Sequence, residues 1–487
     1  MTPTVRQAWL VEQGQVDRAA PDQTRGADFL QLDPAGAPRH GIAGWLTSAV
    51  RDAITDGRLP EGTRLPATRR LAGQLGVSRG VVVEAYQRLS DEGLLGGRRG
   101  GGTAVLATAP AAVAAPVDTT PARVQFDLRP GVPDLSAFPR LAWLRAERTA
   151  LTRTPDAALG YGDPRGTVEL RTALAAWLAQ SRGVRAEPSA IIVVNGVAQG
   201  LALLAQVLAQ RGITTVGYED PGSRGTRDQL QRWGLAVDPV GVDDLGLDVD
   251  ALAGTGAEAV FTTPAHQYPT GVVLAPPRRR ALLDWARDGG LVIEDDYDAE
   301  HRYDRAPVAA LAALAPEHVV YLGSVSKTLA PALRLGWMIA PPDLQEELVV
   351  RKQWSDITSP ALGQLALAEL IASGAFEQHL RRIRTRQRTR RDALLAALRE
   401  HLPGARVHGV AAGLHLLVGL PDGPGVTTDD ADVAARAFAC GVAVQPLSDH
   451  RLRPGPPGLV IGYAATTPDR LREGVRLLAT AVRGSRS

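Results

Sequence analysis

The sequence predicts a multidomain chain: a small, mainly α winged helix-turn-helix near the N-terminus, then a large α/β domain on a mostly parallel sheet. Three observations carry this. Two short helical patterns meet at Leu75-Gly-Val-Ser78. An Ala/Pro/Thr-rich stretch, Ala104 to Arg123, separates them from the rest. Beyond it, apolar β-type runs alternate with helical patterns, as in sheets covered by helices on both faces.

At 487 residues the chain is too long for one ordinary core, and two or three domains are expected. Hydrophobic content of 45% with 22% charged residues is globular. The net charge is only +2, so nucleic-acid binding has to use a local basic face. One cysteine, Cys440, excludes an internal disulfide framework and fits a reducing cytoplasm. Met1 to Ala20 has no apolar signal core, and no apolar run reaches membrane-spanning length. A cytoplasmic protein without a membrane partner is expected. The nine histidines lack ligand spacing, so no metal site is expected.

Residues 1–38 read as a tail with one strand-like piece, Asp28 to Leu32. The winged helix-turn-helix spans 39–105. In it Ile42, Trp45, Leu46, Val50 and Ile54 recur at helical spacing and stop at Asp56-Gly57. Pro66 suits a first helical turn and Gly76 a helix stop. Ser78 reads as the N-cap of a second helix, Arg79 to Leu89. Strand-like pieces at Gly93–Leu95 and Gly102–Val105 flank a basic, glycine-rich wing. Between Arg39 and Thr103 stand ten arginines and six acids. Arg64, Arg69, Arg79, Arg98 and Arg99 fall on the loops and helix starts that would face DNA. A protein-interaction module is the other reading of the two helices, and the basic wing argues against it.

Leu65-Pro-Ala-Thr68-Arg69, Leu71-Ala72, Leu75-Gly-Val-Ser78-Arg79, Ala85-Tyr86 and Glu92-Gly-Leu94 together resemble the DNA-binding domain of the GntR family. The resemblance implies double-stranded operator DNA as a partner. It also implies DNA contacts from Arg69 and Arg79, with Thr68 and Ser78 beside them. Gly80 and Val81 to Val83 stand where relatives often carry polar base readers. Residues 106–123 read as a flexible or partly polyproline-like linker, long enough to let its two ends separate by tens of ångströms.

From Val124 the apolar runs include Ala190–Val194, Thr214–Tyr218, Ala259–Thr262, Gly290–Ile293 and Val319–Leu322. Ligands collect at the carboxyl ends of such strands, and three motifs sit there. After Val194, Asn195-Gly196-Val197 turns into a helix whose free amides suit a phosphate. After Ile293 come Asp295 and Tyr297, which suit a pyridine nitrogen and a ring hydroxyl, or else form a solvated acidic cluster. After Leu322 comes Ser324-Val-Ser-Lys327, with Arg334 seven residues on.

Lys327 carries the most information. Nearly every basic residue is arginine, and lysine occurs only at 327 and 352. Arginine cannot form an imine, whereas a lysine amine can be neutral and attack an aldehyde. An imine-forming lysine beside a phosphate-pairing arginine is what pyridoxal 5'-phosphate (PLP) requires. The plain alternative is a surface lysine in a Ser/Gly loop. Lys352, in a helix-like segment, reads as a solvated charge. So does the arginine-rich stretch Glu377 to Arg391, taken as the exposed face of a long helix rather than a nucleic-acid arm.

These motifs occur in order, along with Tyr161-Gly-Asp-Pro-Arg-Gly166, Thr263-Pro-Ala-His-Gln-Tyr-Pro-Thr-Gly271 and Gly413-Leu-His-Leu-Leu417. Residues 124–487 therefore resemble a fold-type I PLP-dependent transferase domain, with a smaller C-terminal α+β subdomain from about residue 355. With the GntR head, the whole resembles the MocR (GabR-like) transcriptional regulators. The resemblance implies a Schiff base at Lys327, Asp295 on the pyridine nitrogen and Tyr297 on the 3-hydroxyl. It places Ser324, Arg334, Asn195, Gly196 and the Val197 amide at the phosphate, and Tyr268 beside the ring. Tyr161 would reach the phosphate of the other subunit of a homodimer.

The departures shape the function expected. Val197 and Ala198 leave phosphate contact to the backbone, and Ser223 stands where relatives place a ring-stacking aromatic. Val460 stands where many aminotransferases hold the arginine that clamps a substrate carboxylate, one of the stronger polar interactions available. The expectation is a DNA-binding regulator sensing PLP or an amino-acid-like effector, without efficient transamination. The alternatives are an active aminotransferase carrying a DNA-binding module and a PLP-free DNA-binding dimer.

Overall fold

The structure is a computed structural model that describes residues 41–98, 102–106, 124–304, 308–420 and 429–483. The strand-like piece at Asp28–Leu32, Arg99 and the linker lie outside the described residues. The chain divides into two compact units between residues 121 and 122.

The first unit holds α1 (Ile42–Thr55), α2 (Thr68–Leu75), α3 (Arg79–Asp91) and the antiparallel pair β1 (Leu95–Arg98) and β2 (Gly102–Val105). One face of each helix is apolar, and Leu46, Val50, Leu71, Leu75, Val82 and Leu89 share one core with Leu95 and Val105 of the wing. Gly76 ends α2 with φ 65°, a left-handed turn that a glycine enters without a side-chain clash. Pro66 precedes α2 rather than opening it, and its carbonyl accepts the Tyr86 hydroxyl at 3.0 Å. Ser78 stands at the N-cap of α3 with extended backbone, but its side chain makes no capping bond. Its own carbonyl takes the Val81 amide instead, at 3.1 Å.

The second unit is built on an eight-stranded sheet. Its strands are β4 (Ile191–Val194), β5 (Thr215–Asp220), β6 (Ala236–Asp243), β7 (Gly246–Leu247), β8 (Ala259–Thr262), β9 (Leu291–Asp295), β10 (Val319–Ser324) and β11 (Gly336–Ile339), after a short β3 (Phe126–Asp127). Their order is β4-β11-β10-β9-β8-β5-β6-β7. The pairs from β10 through β6 are parallel, while β11 and β7 run antiparallel to their neighbours. Side chains alternate between two cores. Ile191, Val193, Val319 and Tyr321 enter one, and Ile192, Val194, Val320 and Leu322 the other. That alternation is the sheet's double covering. Sequence periodicity did not mark β6 or β11, and it ended β9 and β10 two residues early. Asp295 and Ser324 are thus the last residues of strands, not residues beyond them.

The C-terminal part is a second layer. Strands β12 (Arg406–His408), β13 (His415–Gly419), β15 (Gln445–Pro446) and β16 (Gly458–Gly462) form an antiparallel sheet. The helices at Asp430–Ala439 and Pro468–Arg483 share its core. β3 pairs with β14 (Val442–Ala443), so Phe126 and Leu128, far away in sequence, belong to this core.

The arginine-rich stretch does lie in one long helix, Ala375–His401, with Arg381, Arg382, Arg386 and Arg388 exposed as expected, but Arg390 is buried, which corrects the expectation there. Arg386 and Arg390 both meet the buried Asp134, Arg388 donates to the Tyr303 carbonyl, and His379 meets the Thr328 carbonyl at 2.7 Å. Because the helix shares cores with both layers, its polar groups find buried acceptors. Lys352 is corrected too: it is fully buried, with all three ammonium protons taken by Asp356 and Ser359.

Candidate functional site

The sheet brings the motifs together at the carboxyl ends of its strands. In register, Asp295 of β9 lies beside Leu322 of β10, Ser324 opposite Gly336 of β11, and Gly336 opposite Val194 of β4. A side chain at Gly336 would strike Gly196 at 3.0 Å, so glycine there lets the turn after β4 approach β11 closely.

A cavity of about 260 Å³ opens over these ends, lined by Lys327, Asp295, Tyr297, Tyr268, Ser223 and His415 among others. Lys327 Nζ donates to the Gly131 carbonyl at 2.5 Å. Burial lowers its pKa, while the carboxylates of Asp295 and Asp298 oppose that drop. Burial lifts Asp295 to about 7, Asp296 adding to the rise and Lys327 opposing it. Its Oδ1 is buried with no hydrogen-bond partner among the described residues. A buried acceptor without a donor, facing a lysine across a cavity, is suited to a ligand that brings its own N–H.

Beside this cavity lies a second cluster. Gly196 caps the helix Val197–Gln210 with φ 77°, and a Cβ there would meet the Arg334 guanidinium at 2.7 Å. Arg334, itself left-handed at φ 52°, donates to the Asn195 carbonyl at 2.6 Å. The Val197 and Ala198 amides are first-turn donors with no carbonyl a turn behind them in the helix. Together with Ser324, these groups form a cationic cradle for an anion. Tyr161 is not in it: within this chain it is 89% exposed.

Sequence reading left several groups without a role. His266 Nδ1 lies 3.0 Å from the Tyr297 hydroxyl and 2.8 Å from Asp298, fixing the phenol's position. Glu219 is buried, accepts from Thr262, Thr263 and Gln267, and so pins the loop carrying Tyr268. Tyr268 sits 4.9 Å from His415 and 5.2 Å from His450, ring centre to ring centre. His301 meets the Lys327 carbonyl at 3.2 Å; burial drops its pKa to about 4, so it stays neutral. His266, His415 and His301 stood inside motifs already visible, His301 in the matched stretch Glu294 to Arg302, whereas nothing marked Glu219. Among the described residues no His, Cys, Asp and Glu group is arranged to hold a metal.

Two departures acquire surroundings. Val460 is buried with Leu417 and Leu447, and no arginine is among the cavity's lining residues. Ser223 caps the helix Arg224–Arg232 through the Thr226 amide.

In the first unit Arg64, Arg69, Ser78 and Arg79 are exposed and Thr68 is half-buried. Arg79 meets the Thr68 hydroxyl at 3.4 Å. Glu92, Asp56 and Glu84 are taken by Arg51, Arg58 and Arg88, while Arg64 and Arg69 pair with no acid among the described residues. Arg98 ends β1.

Residues 46–105 match the family of bacterial regulatory proteins, gntR family, and residues 125–478 match aminotransferase class I and II. The chain is 32% identical over 481 residues to the probable rhizopine catabolism regulatory protein MocR of Rhizobium meliloti, covering 93% of this chain and 96% of that one. It is 34% identical over 448 residues to the pyridoxine biosynthesis transcriptional regulator PdxR of Corynebacterium glutamicum, covering 90% and 95%. Among solved structures, Pyrococcus horikoshii kynurenine aminotransferase superposes with a TM-score of 0.68 at 28% identity, over 75% of this chain and 92% of that one. With a GntR head on an aminotransferase fold along almost its whole length, the chain belongs to the MocR-type transcriptional regulators.

Proposed function

We propose that the protein is an operator-binding homodimer whose aminotransferase-like domain holds PLP through Lys327 and reads the presence of PLP or of an amine that reacts with it. The observation that carries this is Lys327 in a cavity opposite Asp295, whose buried Oδ1 lacks a donor among the described residues. When bound, PLP supplies an aldehyde that condenses with the amine and a ring that withdraws electrons. The protein's own groups do the rest. Burial raises the neutral, nucleophilic fraction of Lys327. Asp295 would accept the ring N–H, and Tyr297, held by His266, would donate to the ring oxygen. Arg334, Ser324, Asn195, Gly196 and the Val197 amide would hold the phosphate, with Tyr268 beside the ring.

A homodimer is supported by apolar surface that one chain leaves exposed. Leu141, Leu144 and Leu151 follow helical spacing, and Tyr161 and Trp354 are 89% and 86% exposed. Tyr161 would then complete the partner's phosphate site. In the head, Arg64, Thr68, Arg69, Ser78, Arg79, Arg98 and Arg99 would contact DNA. The absence of a lining arginine speaks against efficient transamination of α-amino acids. The pyridoxine-biosynthesis regulator among the relatives makes PLP itself the first effector to test.

The experiment selects tight-binding duplexes from a random-sequence pool, then measures affinity with and without PLP for wild type and Lys327→Ala. A PLP effect on wild type alone supports the reading. Equal PLP effects, or none, would contradict it.

A further inference from the structure

The second lysine is where the structure departs furthest from its sequence reading. In a chain that uses arginine almost everywhere, Lys352 is fully buried, a costly place for an ammonium group. Its Nζ lies 2.8 Å from each Asp356 oxygen and 2.9 Å from Ser359 Oγ, so every proton is used. Asp356 Oδ2 also accepts from Asn195 Nδ2 at 3.1 Å and Gln199 Nε2 at 2.8 Å. Gln199 Oε1 in turn takes the Asn195 amide at 2.7 Å. Asn195 is thus held at its amide, its side chain and, through Arg334, its carbonyl.

The backbone bears a cost for this arrangement. Ile357, between the two acceptors of Lys352, adopts φ 61° and ψ −63°, a region strongly disfavoured for a β-branched residue. Such strain persists only where the surroundings over-determine it. Here it turns Asp356 and Ser359 toward one ammonium group.

We propose that Lys352 is a positioning residue for the phosphate of the bound cofactor. With Asp356 it forms a buried ion pair that clamps the Asn195-Gly196 turn from behind, and it neutralises a carboxylate that would otherwise repel the phosphate. This assignment rests on the reading that the site takes PLP. It goes beyond that reading in giving a role to a residue that touches neither cofactor nor DNA. A larger guanidinium would overfill the pocket and present its donors in a fixed plane, which accounts for lysine here.

The test compares PLP with pyridoxal, which carries the same aldehyde and ring but no phosphate. Each is titrated into apo protein and followed by the visible band that depends on Lys327. Lys352→Met is expected to weaken PLP by about 10- to 100-fold and pyridoxal by less than about threefold. Adding Asp356→Asn to Lys352→Met removes the unpaired carboxylate and is expected to recover part of the PLP affinity. If Lys352→Met does not fold, Gln199→Leu, at a residue that touches no cofactor atom in this reading, cuts the link between Asp356 and the Asn195 amide without uncovering a buried charge, and the same PLP-selective weakening is expected. Equal weakening for both aldehydes would mean general damage and overturn the assignment, as would an unchanged PLP affinity. A wild type with no band for either aldehyde would overturn the cofactor reading itself, before any variant is compared.

Discussion

Asp295 makes a prediction in which function and stability oppose each other. Its carboxyl is lifted from an ordinary 3.8 to about 7, first by burial and then by Asp296. A carboxyl whose folded pKa lies above its unfolded one binds more protons folded than unfolded across that interval. Stability therefore falls as pH rises from about 4 to about 7. Three units correspond to a ceiling of about 4 kcal/mol. Water in the open cavity reduces it, and a realised effect of about 1–3 kcal/mol is expected. Asp295→Asn removes the charge at constant shape. The apo variant should match wild type near pH 4 and exceed it at pH 8, while its PLP affinity falls about tenfold or more because a charge-assisted bond is removed. Thermal melting of the body transition at several pH values, beside PLP titration, reads both. An apo variant less stable than wild type at pH 8 would refute the reasoning, because Asp295 would then be satisfied without ligand.

Other expectations rest on the same geometry. His266→Ala leaves the buried Asp298 unpaired and should cost about 3–5 kcal/mol, seen as a lower melting temperature. In surviving PLP-bound protein it should raise the pH at which the visible band shifts, since the Tyr297 hydroxyl loses its anchor. Arg182→Met strands Asp296 among Tyr321 and buried carboxyls and should yield insoluble or much less stable protein. Arg64→Ala or Arg69→Ala should weaken DNA binding and reduce the slope of log affinity against log salt by about one for each phosphate that is no longer neutralised. Leu141→Glu with Leu144→Glu should shift sedimentation toward monomer and weaken PLP binding together, because Tyr161 of a partner would be withdrawn.

What was legible in the sequence was whatever depends on local pattern. The helix faces of the head, the Gly76 stop and the strand-end placement of Asn195 and Lys327 all follow from short-range rules. The wing's second strand was legible too, whereas its first runs Leu95–Arg98, starting two residues later than the Gly93–Leu95 piece, because glycines 96 and 97 carry no strand signal. What was not legible depended on partners far along the chain. Lys352 reads as solvated because its helix carries Arg351 and Gln353 beside it, and its burial is set by Asp356 and by the sheet beneath. Arg390 of the long helix looks as exposed as its neighbours until Asp134 arrives from another part of the chain. The histidines carry no ligand spacing, yet folding sets His415 and His450 against Tyr268, with His266 against His415. β6 escaped notice because half-buried positions and Pro239 blur its alternation.

The central claim is that Lys327 is the covalent anchor of a PLP site. The most direct measurement is the visible absorption spectrum of purified protein after PLP addition and removal of free cofactor, for wild type and Lys327→Ala. A retained band in wild type that is absent from the variant is predicted. No retained band in wild type, or the same band in both proteins, would contradict the account.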